Sequence, residues 1–208
     1  MSSPTVIYLV RHGHIVNVDE VFHGRLPGFR LSEEGRAQAA AAAAFLSERP
    51  ITAIYHSPME RARQTAEIVQ EHFPPPRPSL NETPLLNEIF SPFDGRPWTE
   101  MAARDWDFYT GSAPEYEQPA DIVNRMLAFL QRVRRLHTGE HVVGVTHADP
   151  LAFIWMWVLQ QDVHVDNRRR LLEWGLQDEY PATASISIFT FESTAPGELP
   201  DSEYVRPY

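Results

Sequence analysis

The sequence predicts a single α/β domain with a mostly parallel central sheet and helices on both faces. Three short segments are rich in β-branched residues and apolar throughout, as strands covered on both faces are: residues 5–10, 51–55 and 141–147. Helical segments separate them, and strands alternating with helices are typical of this class. With 208 residues, 43% of them hydrophobic, the chain is long enough to bury the core of one domain.

The first two helices are predicted from their starts. Residues 32–49 begin with Ser32, continue with two acidic residues and then with strong helix formers. In residues 57–73, Ser57 and Glu60 have the spacing of a capping box, and the proline between them suits a first helical position. We therefore expect the second helix to begin directly after Ser57.

The second half of the chain continues the alternation. Residues 119–137 are amphipathic and end just before a glycine, which predicts a helix. Asp149 directly before Pro150 has the pattern of a helix N-cap followed by a first-turn proline. The apolar run 150–159 is too short to cross a membrane, and residues 184–191 predict a late strand.

Composition excludes several classes of function. The formal net charge of −10 argues against a surface for nucleic acid, which lysine and arginine must neutralise. Without cysteine there is no disulfide, thiolate metal site or cysteine nucleophile. The N-terminus lacks the form of a signal peptide. We expect a cytoplasmic protein with neither a membrane nor a nucleic-acid partner.

Polar residues follow two of the predicted strands where each strand ends. Arg11 and His12 follow the first strand and His147 ends the third. In open α/β sheets ligands bind at the carboxyl ends of the strands. The second helix should begin at the same edge, with Arg61 in its first turns. A helix N-terminus favours an anion. Together these groups predict a pocket for a small dianion such as a phosphate monoester.

The motifs that carry these residues resemble the histidine phosphatase superfamily, the phosphoglycerate mutase-like fold. In order, they are LVRHG, GRLPGFRLSEEGRAQA, IYHSPMERARQTAEIV, LLNEIFSPFDGRPW and VTHADP, within about residues 6–191. The resemblance implies a histidine acid phosphatase-type phosphomonoesterase that hydrolyses a small-molecule phosphate ester and releases inorganic phosphate, with no cofactor or metal. It also implies one domain over 1–208, in which about residues 89–118 form a small helical or loop lid inserted over the site.

The resemblance implies a role for each motif residue. His12 is the expected nucleophile and becomes a phosphohistidine, with one ring nitrogen held as a donor so that the other is free to attack. Arg11 and Arg61 are expected to clamp the phosphate oxygens, and His147, as a cation, to add a further donor. Glu88 is the expected general acid and then base, with a pKa raised by burial and opposed by the arginines.

Three positions depart from the family pattern. His14 stands where an acidic residue or glutamine is usual. Asn17 lies five rather than six residues after the nucleophile; we include it, with Ala148, among the expected substrate-binding residues. Ala148 and Asp149 replace two glycines, and in a distant branch an aspartate beside this histidine donates the proton. The sequence therefore leaves the proton donor open between Glu88 and Asp149.

Other functions remain open at this point. A mutase would pass the phosphoryl group to a second hydroxyl instead of water, although 208 residues is short for one. A non-catalytic phospholigand-binding module would keep the pocket without turnover. His12, His14, His147 and Asp149 could be metal ligands, but the two nearby arginines would repel a metal cation. We favour the phosphatase.

The aromatic side chains of residues 21–29 and 89–111, the segments expected to cover the pocket, favour a leaving group with apolar or aromatic surface. Arg25 is expected in a loop near the mouth, and His23 as a surface or packing residue. The basic run 167–172 is expected to be a solvated helix face. A sheet edge leaves a homodimer open.

Overall fold

A six-stranded sheet forms the centre of the protein, for which the computed structural model describes residues 3–208. The strand order is β3-β2-β4-β1-β5-β6. The first four strands are parallel to one another, whereas β5 pairs antiparallel with both β1 and β6. The predicted mostly parallel α/β fold is confirmed. The strands are β1 Thr5–Arg11, β2 Ile51–His56, β3 Ser79–Glu82, β4 His141–Thr146, β5 Ile186–Phe191 and β6 Asp201–Val205.

Helices cover both faces of the sheet and create two cores. Ile7 and Leu9 of β1 pack in one core with α4 and α5, whereas Val6, Tyr8 and Val10 pack in the other with α1 and α2. Successive side chains of a strand point to opposite faces, so one apolar strand serves both cores. The helices are α1 Glu33–Ser47, α2 Glu60–Glu71, α3 Trp98–Ala103, α4 Pro119–Leu136 and α5 Ala148–Val158.

Two strands, β3 and β6, were not predicted. Both lie at the edges of the sheet, and neither has a buried residue. A strand is recognised in a sequence by an apolar run or by alternation of apolar and polar residues. These short, polar edge strands have neither signal.

The second helix begins later than predicted. Met59 is its N-cap residue and makes no side-chain cap bond. The hydroxyl of Ser57 instead donates to Asn87 and contacts the ring of His147. The prediction that Ser57 and Glu60 form a capping box is wrong, because the site uses the Ser57 hydroxyl.

The N-cap predicted for the fifth helix is also wrong. His147 is the N-cap residue of α5, and Asp149 lies inside the first turn with its carboxylate turned to two tyrosine hydroxyls. The helix is buried along almost its whole length. Among residues 3–208 no helix is both long enough and apolar enough to cross a membrane.

Residues 89–118, the expected lid, contain the short helix α3 among turns. Met101, Phe108 and Tyr109 of this segment are buried and join the core formed with α4 and α5. The segment is therefore anchored to the domain by apolar contacts. Its action as a lid stays a prediction.

The backbone of the loop after β1 lies in direct contact with the backbone at the start of α1. A Cβ built on Gly35 would lie 1.9 Å from the carbonyl oxygen of His14, and one on Gly13 would lie 2.3 Å from the carbonyl oxygen of Gly35. The backbone N–H of His14 also donates to Gln38 of α1. Two glycines thus let α1 hold the backbone that directly follows His12.

Replacement of Gly35 by alanine tests this contact. Gly35→Ala should lower the free energy of unfolding by about 1–3 kcal/mol, because the new methyl group overpacks the loop. Helix propensity alone would give the opposite sign, a gain of about 1 kcal/mol. Urea denaturation measures the difference. Arg36→Ala, at the next and exposed position, is the control and should stay within about 0.5 kcal/mol of the wild type; a Gly35→Ala variant as stable as the wild type would contradict the close approach.

Candidate active site

Four buried polar residues from separate elements meet at the carboxyl edge of the sheet. His12 follows β1, His147 follows β4, Arg61 lies in the first turn of α2, and Glu88 follows a 3-10 turn. The ring centroids of His12 and His147 lie 5.1 Å apart. The residues that the sequence places at strand ends and at a helix start therefore occupy one site.

Arg61 lies at the centre of this group and is fully buried. Its Nε lies 3.2 Å from Nε2 of His12, and one terminal nitrogen lies 3.2 Å from Nδ1 of His147 and 3.5 Å from Oε2 of Glu88. The same nitrogen donates to the carbonyl oxygen of Gly24 at 2.8 Å. Burial lowers the pKa of Arg61 to about 10, so the guanidinium stays charged at neutral pH.

The ring of His12 is held in one tautomer. Its Nδ1 lies 2.8 Å from the carbonyl oxygen of Gly13, which can only accept, so Nδ1 carries the proton and Nε2 keeps its lone pair. Burial, with the charges of Arg61 and Arg11, lowers the pKa of His12 well below its ordinary value. His12 is therefore neutral, and its unprotonated Nε2 accepts from the Nε–H of Arg61.

A chain of hydrogen bonds fixes His147 in the other tautomer. The Ser57 hydroxyl donates to Asn87 and accepts from the backbone N–H of Met59, so the Nε2 of His147, at 2.8 Å, must be a donor to it. Burial and the charge of Arg61 lower the pKa of His147 well below its ordinary value. The expected cation is therefore a neutral ring in the protein by itself.

The carboxyl group of Glu88 is buried beside these rings. Its Oε1 accepts from the backbone N–H of Ile89, and its Oε2 lies 3.4 Å from Nδ1 of His147. Burial raises the pKa of Glu88 and the charge of Arg61 opposes the rise, as the sequence-based expectation had it. Arg25 lies behind this group and donates to the backbone oxygen of Glu88 at 2.8 Å.

A cavity of about 240 Å³ opens onto the site. The expected site residues Arg11, His12, Glu88 and Ala148 line it. Four phenylalanine or tryptophan side chains from residues 21–29 and 89–111 are part of its lining. The other lining residues are Phe22, His23, Trp98, Trp106, Phe108, Arg168, Arg169 and Tyr180.

Comparison with known proteins identifies the family of this chain. The family described as histidine phosphatase superfamily (branch 1) matches residues 7–196. The chain belongs to the histidine phosphatase superfamily. The superfamily and the phosphatases among its relatives indicate a phosphatase, a hydrolase of phosphate esters.

Two curated relatives and two solved structures illustrate the similarity. An uncharacterized protein of Mycobacterium tuberculosis is 34% identical, over 82% of this chain and 86% of its own length. The metal-independent phosphoserine phosphatase of Arabidopsis thaliana is 31% identical, over 76% and 71%. YhfR of Bacillus stearothermophilus has a TM-score of 0.74 at 25% identity, over 93% and 97%. A mycobacterial glucosyl-3-phosphoglycerate phosphatase has a TM-score of 0.72 at 22% identity, over 97% of both chains, and shows the fold.

Two residues considered for the site of this histidine phosphatase are not brought to the cavity. The side-chain amide of Asn17, an expected substrate-binding residue, is bonded through both its oxygen and its nitrogen to the backbone of Val21. His14 is exposed and hydrogen-bonded to Ser32 at 2.8 Å. Neither side chain lines the cavity.

Several cavity residues were missed or misassigned from the sequence. His23, expected at the surface or in packing, lines the cavity, and its buried Nδ1 has no hydrogen-bond partner among the described residues. Burial and the charges of Arg61 and Arg11 lower its pKa to about 3. Tyr180 comes from an irregular segment before β5 and had no sequence signal. For His23 there was a weak sequence signal, because it directly precedes Gly24, the first residue of a motif that resembles the family.

The basic run 167–172 is not the solvated helix face that was expected. Only its ends belong to 3-10 turns, and Arg168 is buried at 6% exposure. Arg168 donates to the backbone oxygens of Val165 and Asp105, and it lines the cavity together with Arg169. The three arginines lie between two 3-10 turns, so they do not share one exposed helix face.

Asp149 is buried and holds two phenols. Tyr109 donates to its Oδ2 at 2.5 Å, and Tyr180 donates to its Oδ1. Burial and the nearby Asp149 raise the pKa of both tyrosines well above the ordinary value, so both hydroxyls keep their protons. Each carboxylate oxygen of Asp149 thus has a phenol as its partner.

One group of potential metal ligands coincides with the site. His12, Glu88 and His147 each offer an atom within 4.8 Å of the others. The guanidinium of Arg61 contacts all three of these side chains. A divalent cation between them would meet a fixed positive charge at close range, so this donor set does not fit a metal. The metal site considered from the sequence also needed His14, which lies apart and is exposed.

The buried imidazoles predict a loss of stability in acid. His12, His23 and His147 have lowered pKa values in the folded protein. Below about pH 6.5 the unfolded chain binds protons that the folded protein does not, so the free energy of unfolding should fall with pH. The raised pKa of Glu88 has the opposite effect on the free energy of unfolding. Its contribution increases the stability of the protein as the pH falls through the folded-state pKa.

The contribution of His23 can be isolated by substitution. His23→Gln should remove about 2 kcal/mol of the loss between pH 6.5 and 5, since one such histidine costs about 1.4 kcal/mol per pH unit. Urea unfolding at the two pH values gives the difference for each protein. Arg36→Ala, which removes no imidazole, should follow the wild type. An unchanged pH dependence in His23→Gln would show that this ring is accessible to protons in the folded state.

Proposed function

We propose that the protein hydrolyses a phosphate monoester of a small molecule through a phosphohistidine on His12, without a metal. The observation that carries the proposal is the state of His12: a neutral ring whose Nδ1–H is held by Gly13 and whose unprotonated Nε2 faces Arg61. Neutral imidazole with an available lone pair is a nucleophile, and the covalent intermediate divides hydrolysis into two easier steps.

Fixed positive charges would bind the phosphate. Arg61 is charged and central, and Arg11 lines the cavity with a buried Nε that has no partner among the described residues. A bound dianion replaces the contacts of Arg61 with the two histidines and takes up these donors. The negative charge also favours protonation of His147, which then becomes a further donor.

Hydrolysis takes place in two half-reactions, formation and breakdown of the phosphohistidine. Nε2 of His12 attacks phosphorus, the bond from phosphorus to the ester oxygen breaks, and Glu88 gives its proton to the departing oxygen. The Glu88 carboxylate then takes a proton from water, whose oxygen attacks phosphorus while the bond to Nε2 breaks. Inorganic phosphate leaves, and His12 and Glu88 return to their starting forms. The arginines stabilise the charge on the equatorial oxygens in both steps.

The geometry supports Glu88 over Asp149 as the proton donor. Glu88 lines the cavity, and its raised pKa favours the protonated form that a general acid needs. Asp149 does not line the cavity, and both its oxygens accept from the hydroxyls of Tyr109 and Tyr180. Both oxygens of Asp149 are thus engaged by tyrosine hydroxyls and do not face a ligand in the cavity.

Metal independence and the lid belong to the same proposal. Arg61 supplies the positive charge that a metal would provide, and the Arabidopsis thaliana relative carries the description metal-independent. Trp98, Trp106 and Phe108, all from the segment 89–118, line the cavity, which supports a covering role for this segment. Their apolar surface suits a leaving group with apolar or aromatic parts.

The first test is hydrolysis of an aryl phosphate in the presence of excess chelator. His12→Ala should lower kcat by at least about 10³-fold, because no other residue can replace the nucleophile. Binding of inorganic phosphate should persist, since both arginines remain. His14→Ala is the matched control, because it removes an exposed imidazole two residues away and should stay active.

A quenched reaction with labelled substrate completes this test. The wild type should carry an acid-labile, alkali-stable phosphoryl group that His12→Ala lacks. Activity that the chelator abolishes would overturn metal independence. Near-normal activity of His12→Ala would overturn the nucleophile. Phosphorylation of His12 with transfer to an added alcohol, in preference to water, would make the protein a mutase.

The role of Glu88 predicts a dependence on the leaving group. Glu88→Gln should reduce kcat/KM for an alkyl phosphate by about 10²–10⁴-fold and affect a 4-nitrophenyl ester much less, because a good leaving group departs without a proton. Asp149→Asn should reduce both substrates to a similar extent, if at all. Steady-state kinetics on the two esters decides the matter, and a leaving-group-dependent loss in Asp149→Asn alone would reverse the assignment.

A further inference from the structure

A buried arginine that forms no direct ion pair lies in the cavity wall. Arg168 is only 6% exposed, and its two hydrogen-bond acceptors are the backbone oxygens of Val165 and Asp105. Within residues 3–208, no carboxylate approaches its guanidinium to 4.0 Å. Two carbonyl oxygens accept from its guanidinium, and Asp107 is near enough to interact with its charge but forms no ion pair with it. The charge of this buried cation is therefore only partly compensated, which is costly.

The neighbouring arginine adds a second charge to the same wall. Arg169 is exposed and lines the cavity, and in the described part of the chain it has neither an ion pair nor a side-chain hydrogen bond. Three acidic residues, Asp105, Asp107 and Asp166, share the adjacent surface with both arginines but form no ion pair with them. Two positive charges therefore face the cavity in addition to those around the phosphate.

The next arginine in the run behaves differently. Arg170 pairs with Glu173 at 2.9 Å, donates to Asn167 and lies over the ring of Trp174. It does not line the cavity. The chain thus neutralises Arg170 with a carboxylate and leaves the two cavity arginines without one.

We propose that Arg168 and Arg169 form a second anion-binding subsite, and that the substrate is a phosphate monoester whose leaving group carries its own anionic group. The inference rests on the proposed function and extends it to the substrate class. The phosphate is bound around His12, the body of the leaving group lies along Trp98 and Trp106, and its carboxylate or second phosphate is bound by the two arginines. The bound anionic group gives Arg168 a direct ionic partner.

Three matched compounds test the subsite. They are 4-methylphenyl phosphate, which is neutral at the distal position, and its 4-carboxymethyl and 4-phosphonomethyl counterparts, in which a methylene separates the added anion from the ring. The readout is the ratio of kcat/KM for each anionic compound to that for the neutral one. The wild type should prefer at least one anionic compound by about tenfold or more, the size expected of a charge-assisted contact. Preference for the carboxylate or for the phosphonate identifies the group.

Two variants of equal net charge distinguish direct contact with the anionic group from a general effect of positive charge. Arg169→Gln should reduce the preference to near unity, whereas Arg170→Gln should keep it, although both remove one positive charge from the same run. Arg168→Lys, which retains the charge of a buried residue, should retain part of the preference. Equal losses in Arg169→Gln and Arg170→Gln, or no preference in the wild type, would overturn the subsite.

Binding in the absence of turnover separates this inference from the proposed function. The same three compounds can be titrated by calorimetry into His12→Ala, with and without Arg169→Gln. A preference for an anionic compound that Arg169→Gln removes supports the subsite even if no compound is hydrolysed. Hydrolysis that depends on His12, with equal binding of all three compounds, would leave the phosphatase proposal standing and overturn the subsite alone.

Discussion

The arrangement of the site depends on one buried guanidinium group. Arg61 contacts both histidines and the glutamate and donates to the carbonyl oxygen of Gly24. A cation withdrawn from water needs polar partners. Burial, together with the charge of Arg61, keeps the two imidazoles neutral. The same charge opposes the rise in the pKa of Glu88 that burial causes. One side chain thereby influences the protonation of every other group at the site.

A second group of charged residues contacts the backbone of Glu88. Glu117 pairs with Arg25 at 2.9 Å and with Arg125 at 2.7 Å, and the same two arginines donate to the backbone oxygen of Glu88. Glu117 also accepts from the backbone N–H of Phe90. These contacts connect the loop of the proposed general acid to the segment 89–118, so one network positions Glu88 and this segment of the cavity wall.

The charge of the whole chain and the charge of the cavity have opposite signs. A protein with a formal net charge of −10 repels an anionic ligand at long range, although salt screens this repulsion beyond about 8–10 Å. Inside the cavity Arg11, Arg168 and Arg169 lie within contact distance of a ligand. The charge of the cavity lining therefore differs in sign from the net charge of the chain, so the net charge does not predict the sign of the site.

The sequence by itself determined the fold and the meeting of four side chains. Strands that are apolar throughout required helices on both faces, and in a parallel sheet the residues after β1 and β4 come to the same edge, so His12, His147 and Arg61 were placed correctly. Glu88 was placed by the resemblance of its motif to the family. The edge strands β3 and β6 had no apolar pattern and could not be predicted.

Only the tertiary structure decided how the polar groups choose partners. Ser57 and Asp149 have the local pattern of helix caps, but distant residues use their oxygens: His147 and Asn87 in one case, two tyrosines in the other. The orientation of His23 and Arg168 into the cavity likewise depends on elements far apart in the chain. A local pattern records what a side chain can bond to, whereas burial and long-range proximity select the bond that forms.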